Sequence, residues 1–452
     1  MHTIKHFLLL IFLLFTYGCS IDDGNVTYIE DNTTNTGHEL IQDTYKVNKI
    51  LVPTLIVIMN WTDYSETDET IWYNKFFNHS TNSVNKWYDE TLGGEYELSA
   101  VTETSGTVND GIITVNMGVP HPGNSDATFR DTYISSAIQN LEVVNKMDFT
   151  LYDTNNDTIL SNKEIQIIFI VAGGETSNGD ASATSIWAHA WSYSSASTLR
   201  VDGMLVMRTD TNSSKSGKYA RFGANHGGHK AAIGIIVHEI GHSLFNLGDY
   251  YDDGGGSGLG WYDIMSGGSW ARQATDTYNG DTPTFFSAYN KIDAGFDLNV
   301  TDVNTATDLT IRCSSREYIK LITSKPNEYF LIECRDTSKA NSDISLNFSD
   351  NAFTEDKLFM MTYHVDTDKL NNNEDGIQTN LSHYKVALIE KETTSLMTKD
   401  ALIYAKYYDV YTVGESINTS ATFLYDGTAT NYSINVLSQD TTNRKMTIRI
   451  TK

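Results

Sequence analysis

The chain has 452 residues, of which 40% are hydrophobic and 20% charged, a composition typical of folded globular proteins rather than disordered ones. Its 57 acidic residues outnumber its 32 basic residues and give a formal net charge of −25 at pH 7. This charge argues against a nucleic-acid partner, because no excess of cations is available to neutralise phosphates. The length is sufficient for two domains, each with its own core.

The N-terminus predicts export from the cytoplasm. It reads MHTIKHFLLLIFLLFTYGCS, with a short basic start and an apolar run at 7–15 that is too short to span a bilayer. Gly18 before Cys19 resembles a bacterial lipobox, in which the cysteine is lipidated; the alternative is a plain signal peptide cut nearby. We therefore predict a lipoprotein signal peptide at 1–18 and a polar tether at 19–45. The protein is expected at the outer membrane or cell surface, or secreted if Cys19 is not lipidated.

From residue 46 to 298 the predicted strands and helices alternate, which indicates an α/β domain with a mixed sheet. ILVPTLIVIMNW and IQIIFIVAGG are continuously apolar, as buried strands are, and EYELSAV and GIITVNMG predict shorter strands. Helical spacing is found in TIWYNKFFNHSTNSVNKWYDET, DTYISSAIQNLEVVNK and AAIGIIVHEIGHSLFN. From residue 299 every predicted element is a strand, so we expect an all-β domain at 299–452, a sandwich or an open barrel.

Two cysteines follow the predicted signal peptide and Cys19, and each lies in a strand-like segment. Cys313 is in LTIRCSS and Cys334 is in YFLIECR. In an oxidising compartment they could form a disulfide. Two separate buried thiols are equally consistent with the sequence.

The segment IIVHEIGHSLFNLGDYYD predicts a metal site. On an α-helix His238 and His242 lie one turn apart on one face, close enough to share an ion. Glu239 then points beside the ion, where it can take a proton from water that the metal activates. We expect Gly248 to end the helix, so that the chain turns back and Asp249 becomes a third ligand. Neutral imidazole and carboxylate favour Zn²⁺ with one position open for water. The alternative is a solvent-exposed helix face that carries two histidines.

Downstream, Met265 stands in a tight, glycine-flanked turn, WYDIMSGGSW. After an HExxH helix such a residue is typical of the methionine turn beneath a metal site. HEIGHSLFNLGDYYD followed by this turn resembles the immune inhibitor A-type secreted metalloproteases of peptidase family M6, which are metzincin-like zinc enzymes. LVPTLIVIMNWTD, IWAHAW, TPTFFSAYNKIDAGF, EYFLIECR and MMTYHVDTDKLNNN resemble segments of that family in the same order.

The resemblance implies a metzincin-like catalytic domain at 46–298. It also implies roles for five residues: the zinc ligands His238, His242 and Asp249, the general base Glu239, and Met265 of the methionine turn. The metzincin pattern has glycine three residues after the second histidine and a ligand three residues further on. Here those positions are Phe245 and Gly248, so Asp249 lies one residue late. Asp252 is the alternative third ligand.

The segment DTNNDTILSNKE has the ligand spacing of an EF-hand Ca²⁺ loop. Oxygen-bearing side chains occupy positions 1, 3, 5, 9 and 12, and a main-chain carbonyl is available at position 7. These residues are Asp153, Asn155, Asp157, Ser161 and Glu164, with the carbonyl of Ile159. Thr158 stands where glycine is expected, and a strand rather than a helix follows. We predict a structural Ca²⁺ site; a polar loop with Asx-turns is the alternative.

Together these features predict an exported, lipid-anchored zinc endopeptidase, monomeric, that hydrolyses peptide bonds of extracellular proteins or peptides. A catalytically inactive surface adhesin or glycan-binding protein on a peptidase fold is the first alternative. The β-domain, the aromatic content and the displaced third ligand favour it. The second alternative is a metal-dependent hydrolase of non-peptide amides, which the HExxH pattern alone would allow.

Overall fold

The structure is a computed structural model of the chain. It describes residues 48–124, 129–180, 182–192, 199–208, 217–252, 258–337, 342–347, 358–369, 383–391 and 410–452. The predicted signal peptide, the tether and Cys19 lie outside these residues. All the described residues belong to one structural unit, Asp43–Lys452. None of the helices in the described part of the chain has both the length and the apolar character needed to cross a membrane.

A mixed sheet of eight strands forms the framework of the first half of the chain. Its strands are β1 (Ile50–Asn60), β2 (Tyr96–Ala100), β3 (Ile112–Asn116), β4 (Gln166–Glu175), β5 (Ser185–Ile186), β6 (His189–Trp191), β9 (Tyr219–His226) and β10 (His229–Lys230). β1 pairs in parallel with β2 and then β3 along one edge, and with β4 along the other. β9 is parallel to β4, whereas β6 and β10 run antiparallel to β9. β7 (Arg200–Val201) and β8 (Met204–Leu205) form a separate hairpin.

Helices cover both faces of this sheet. They are α1 (Glu69–Phe77), α2 (Val84–Leu92), α3 (Ser135–Ile138), α4 (Leu141–Val144), α5 (Ile233–Phe245) and α6 (Ala288–Asp293). Successive residues of a strand point to opposite faces. Accordingly, Val52 and Ile56 of β1 pack with α1, α2 and α5, whereas Val57 and Met59 pack with α3 and α4. The sheet therefore lies between two apolar cores.

Two segments predicted as continuous helices are interrupted. The first divides into α1 and α2, because Asn82 adopts a left-handed φ of 62° and the Ser83 hydroxyl caps α2 by accepting a hydrogen bond from the Lys86 amide. The second begins with a π-helical turn, Phe129–Ile134, and then divides into α3 and α4 at Asn140, which caps α4. The caps set these boundaries, whereas the apolar spacing continues across them.

The described residues after 298 form further β-sheets. A five-stranded sheet contains β11 (Asn299–Val303), β13 (Glu317–Leu321), β14 (Glu328–Asp336), β15 (Leu358–Asp366) and β16 (Val386–Leu388). A four-stranded antiparallel sheet contains β12 (Thr307–Arg312), β17 (Ser416–Ile417), β18 (Ser433–Asp440) and β19 (Lys445–Thr451). Apart from short 3₁₀ turns, the described part of this region is built from strands, as predicted.

Both faces of the five-stranded sheet are buried. Leu331 and Met361 belong to the core that contains α5, whereas their neighbours Phe330 and Met360 belong to a third core shared with the four-stranded sheet. A disulfide between Cys313 and Cys334 lies in this third core and resolves the alternative that the sequence left open. Apolar residues on both sides of position 298 thus share one core. The fold is a mixed α/β arrangement followed by several β-sheets, and the boundary at 298 stays a prediction.

Candidate metal centre

Helix α5 carries the two histidines and the glutamate of the HExxH segment. All thirteen of its residues are buried, so the alternative of a solvent-exposed helix face is wrong. The helix ends at Phe245, and the next residue, Asn246, takes the left-handed conformation with φ 57°. The prediction that Gly248 ends the helix is therefore also wrong. Asparagine fills this position because it tolerates the left-handed region better than most residues.

His238, His242 and Asp249 bring three potential ligand atoms together. The Nε2 atoms of the two histidines are 3.2 Å apart. Asp249 Oδ1 lies 3.1 Å from each of them. Among the described residues this is the only group of three or more histidine, cysteine, aspartate or glutamate side chains arranged to hold a metal ion. The left-handed turn at Asn246 brings the chain back within a few residues, which places Asp249 at the helix in spite of the one-residue delay.

Hydrogen bonds orient both imidazole rings. His238 Nδ1 donates to the Ile264 carbonyl at 2.9 Å, and His242 Nδ1 donates to the Leu247 carbonyl at 2.7 Å. Since Nδ1 donates a hydrogen bond in each ring, Nε2 is the atom that faces the other ring and the carboxylate, and it offers a lone pair when the ring is neutral. Such a convergence of lone pairs and negative charge favours a cation between them.

The histidines and Asp249 also shift one another's pKa. Burial alone would lower the pKa of His238, but the hydrogen bond and the charge of Asp249 raise it to about 9. Burial would likewise raise the pKa of Asp249, yet the two histidines hold it well below its usual range. A tetrahedral Zn²⁺ site with ligand bonds of 2.0–2.1 Å spaces its ligand atoms about 3.3 Å apart. The three observed separations are close to this spacing, so the residues fit a zinc ion.

Glu239 is buried beside this group, with an exposed fraction of 4%. Its Oε2 atom has no hydrogen-bond partner among the described residues. Burial raises the pKa of the carboxyl group, and the charges of His238 and His242 oppose that shift. A buried carboxylate with an unused oxygen and a raised pKa is suited to accept and release a proton.

Met265 lies beneath the helix, as the sequence predicted for the methionine turn. It is fully buried, and its sulfur occupies the space that a Cβ at Gly241 would need. The Met265 carbonyl accepts a hydrogen bond from the Tyr250 amide at 2.7 Å. The turn therefore contacts both the helix and the segment that supplies Asp249.

Asp263 holds this turn, and its role was not predicted from the sequence. Its carboxylate is fully buried and accepts hydrogen bonds from the amides of Met265 and Ser287, at 2.6 and 2.8 Å, and from the Asn290 side chain at 2.8 Å. Burial raises the pKa of Asp263, and the hydrogen bonds from Ser287 and Met265 oppose the rise. The sequence feature that could have identified Asp263 is its position two residues before the methionine.

The alternative third ligand, Asp252, lies elsewhere. Its carboxylate accepts a hydrogen bond from the Tyr384 hydroxyl at 2.5 Å, and Asp252 is not part of the group formed by the two histidines and Asp249. Tyr384 precedes β16 of the five-stranded sheet. The structure thus brings Asp249, rather than Asp252, to the imidazole rings.

The EF-hand-like loop is closed by hydrogen bonds to its own carboxylates. Glu164 accepts bonds from the Thr154 amide and hydroxyl, both at 3.1 Å, and from the Ser161 amide and hydroxyl at 3.0 and 2.8 Å. Asp153 accepts from the amides of Asp157 and Thr158 at 3.1 and 3.0 Å. Thr158, which stands where glycine was expected, has a left-handed φ of 62°. The remaining predicted ligands also lie in this loop: Asn155 accepts from the Asp157 amide, and Asp157 accepts from the Ile159 amide.

Comparison with known proteins shows similarity to one peptidase family. A family model described as "Immune inhibitor A peptidase M6, catalytic domain" matches residues 63–297, just over half of the chain. Immune inhibitor A of Bacillus thuringiensis subsp. alesti is 26% identical over 231 residues, which cover 46% of this chain and 31% of that protein. Pre-pro-metalloprotease PrtV of Vibrio cholerae serotype O1 (strain M66-2) is 26% identical over 224 residues, which cover 46% of this chain and 23% of that protein.

The matched region spans less than a third of either relative. Among solved structures, catalytically inactive OgpA from Akkermansia muciniphila, bound to an O-glycopeptide (glycodrosocin) substrate, is 11% identical. The match covers 73% of this chain and 93% of that one with a TM-score of 0.25, too low to inform the architecture or the site.

Proposed function

The chain belongs to the immune inhibitor A peptidase M6 family, and on that premise we propose that it is an exported, lipid-anchored, zinc-dependent endopeptidase that hydrolyses peptide bonds of extracellular proteins. The observation that carries the proposal is the buried triangle of His238 Nε2, His242 Nε2 and Asp249 Oδ1. PrtV, one of the two relatives, is named as a metalloprotease, which supports a proteolytic activity.

In this proposal His238, His242 and Asp249 hold the zinc ion. When bound, Zn²⁺ acts as a Lewis acid that polarises a peptide carbonyl and lowers the pKa of water. The two carbonyl groups that accept the Nδ1 protons keep each imidazole in the tautomer that offers Nε2. The buried helix keeps the two imidazole rings in place before substrate arrives, and the segment that follows it presents Asp249.

Glu239 is the proposed general base. Its unpartnered Oε2 takes the proton of the attacking water, and the same oxygen then delivers that proton to the leaving amine. A raised pKa assists the first step because the carboxylate accepts the proton more readily than an exposed glutamate would. Met265 supports the helix from below through its contact at Gly241.

The remaining proposals rest on the sequence pattern. They are cleavage of the signal peptide at 1–18, lipidation of Cys19, a tether at 19–45, a metzincin-like domain at 46–298 and a sandwich-like domain at 299–452 in a monomer. The third core, which the five- and four-stranded sheets share, supports the sandwich.

We also propose that the loop at 153–164 holds a structural Ca²⁺ ion, supported by its EF-hand-like spacing and by the left-handed turn at Thr158.

The decisive experiment measures the metal content of purified residues 20–452 by elemental mass spectrometry. We expect about one zinc per chain, lost in His242→Ala and retained in His79→Ala. His79 is a suitable control because it is an exposed histidine paired with Asp89 and Glu97. A parent protein that holds no zinc, even after incubation with it, would remove the enzyme proposal and favour the surface-binding alternative.

The role of Glu239 is tested by Glu239→Gln. The variant should keep its zinc and lose nearly all turnover, since the amide cannot accept the proton. Because the change removes a buried charge and breaks no hydrogen bond of Oε2, its melting temperature should equal or exceed that of the parent. Turnover retained by a zinc-loaded Glu239→Gln protein would contradict the proposed mechanism.

A further inference from the structure

The C-terminal sheet reaches the proposed metal centre through two polar contacts. Arg335 of β14 has an exposed fraction of 1% and forms an ion pair with Asp343 at 3.0 Å. It also donates to the carbonyl groups of Tyr262 and Phe286, at 3.2 and 3.0 Å, and Tyr262 belongs to the segment of the methionine turn. The five-stranded sheet therefore supports the segment whose Ile264 carbonyl orients His238.

The second contact joins Tyr384 to Asp252. Both residues are buried, with exposed fractions of 2% and 8%, and the phenol donates to the carboxylate at 2.5 Å. A hydrogen bond to a buried carboxylate is among the stronger polar contacts in proteins. Tyr384 lies more than a hundred residues beyond the metal-binding segment and outside the matched catalytic region, 63–297.

Asp252 follows Asp249 by only three residues, and Tyr250 anchors the chain between them. The Tyr250 amide donates to the Met265 carbonyl at 2.7 Å, and the Tyr250 carbonyl accepts from the Leu259 amide at 2.8 Å. The short segment that presents Asp249 is thus held from the methionine turn on one side and from the C-terminal sheet on the other.

We propose that Tyr384 is a positioning residue of the metal centre, because its hydrogen bond to Asp252 fixes the segment that presents Asp249 to His238 and His242. The inference rests on the proposed zinc site and adds to it a residue from outside the matched family region. It makes the C-terminal β-region part of the machinery that shapes the centre, rather than a separate binding module. Without the phenol, the segment loses one of its anchors and the carboxylate of Asp249 is presented less well.

The test compares Tyr384→Phe with a matched variant, Tyr432→Phe. Tyr432 is fully buried in the third core, and its hydroxyl donates to the carbonyl groups of Val303 and Ile322 at 3.1 and 2.7 Å. Each variant removes one buried phenolic oxygen from the C-terminal region. Only Tyr384→Phe removes a contact with the segment of Asp249.

Zinc affinity is measured by competition with a chromophoric chelator, and kcat and KM are measured with a peptide substrate. We expect the zinc dissociation constant of Tyr384→Phe to rise about tenfold, as is usual when support behind a metal ligand is lost. In the zinc-saturated protein kcat should fall, whereas KM should stay close to that of the parent. Tyr432→Phe should lower the melting temperature but leave the zinc dissociation constant and kcat unchanged.

A second readout needs no metal. Hydrogen exchange of the metal-free protein should show faster exchange at the Tyr250 amide in Tyr384→Phe than in Tyr432→Phe, because its bond to Met265 opens more often. In an Asp252→Ala background the substitution of Tyr384 should add nothing, since its partner is already missing.

Three results would overturn the inference. They are an unchanged zinc dissociation constant and kcat in Tyr384→Phe, equal losses in Tyr384→Phe and Tyr432→Phe, or an undiminished effect of Tyr384→Phe in the Asp252→Ala background. Each leaves the zinc site of the parent intact and so does not affect the proposed function. A parent protein that binds no zinc is a different result, which removes both proposals.

Discussion

The carboxylate of Asp263 should control both stability and metal binding, and Asp263→Asn tests this. Its two oxygens accept hydrogen bonds from two main-chain amides, those of Met265 and Ser287, and from the side-chain amide of Asn290. In Asp263→Asn, an NH₂ group replaces one carboxylate oxygen. One of the two main-chain N–H groups then faces a donor instead of an acceptor. Asn290 can compensate for part of the change by turning its own Oδ1, which has no partner among the described residues, toward the new amide.

The expected loss is therefore that of one buried, unsatisfied donor, about 1–3 kcal/mol of unfolding free energy. Since the turn also carries the Ile264 carbonyl that orients His238, zinc affinity should fall about tenfold or more. Urea unfolding of the metal-free protein measures the first effect without the contribution of bound metal. Chelator competition measures the second.

The control for this prediction is Asp308→Asn. Asp308 lies on the surface and pairs with Arg449 at 2.7 Å. Its substitution should change neither quantity measurably, because exposed ion pairs contribute little. If Asp263→Asn and Asp308→Asn unfold at the same urea concentration and bind zinc equally, the account of the turn is wrong.

Three further predictions concern other parts of the molecule. Replacing both Cys313 and Cys334 with serine should cost about 3 kcal/mol in urea unfolding, as expected for a 21-residue separation, and should leave the zinc content unchanged. Burial would raise the pKa of Glu328, but hydrogen bonds from His364 and the Tyr425 amide lower it from 4.5 to about 2. Unfolding free energy should therefore decline as the pH falls through this interval, and a pH series on Glu328→Gln should show a shallower decline. Added Ca²⁺ should raise the melting temperature of the parent but not of Glu164→Gln; equal shifts, or none, would favour a plain polar loop.

The sequence was most informative where one periodicity dominated a segment. β4 is buried along its whole length, and its ten residues are accordingly almost all apolar. The two histidines of α5 and the buried residues around them follow helical spacing, so both the helix and the convergence of its imidazole rings were predictable. The helix end was not, because Asn246 rather than the nearby glycine takes the left-handed position.

Contacts between distant segments had no local signal. The sequence around Arg335 predicts only the polar end of a strand. Its partners nevertheless include the carbonyl groups of Phe286 and Tyr262, which are 49 and 73 residues away. No local pattern distinguishes Tyr384 from the other tyrosines of the chain, which has 26, and its partner Asp252 is 132 residues away. The division between α1 and α2 was visible as a polar run, but the apolar spacing on either side outweighed it.

The shared core of α5 and the five-stranded sheet also sets an order of events during biosynthesis. The helix is complete at Phe245, but β14 and β15, which bury part of its surroundings, end at Asp336 and Asp366. The HExxH segment is therefore synthesised long before the strands that bury it. Contacts between segments so far apart in the chain form late in folding. The residues around the candidate metal centre can therefore complete their packing only after β14 and β15 have been synthesised.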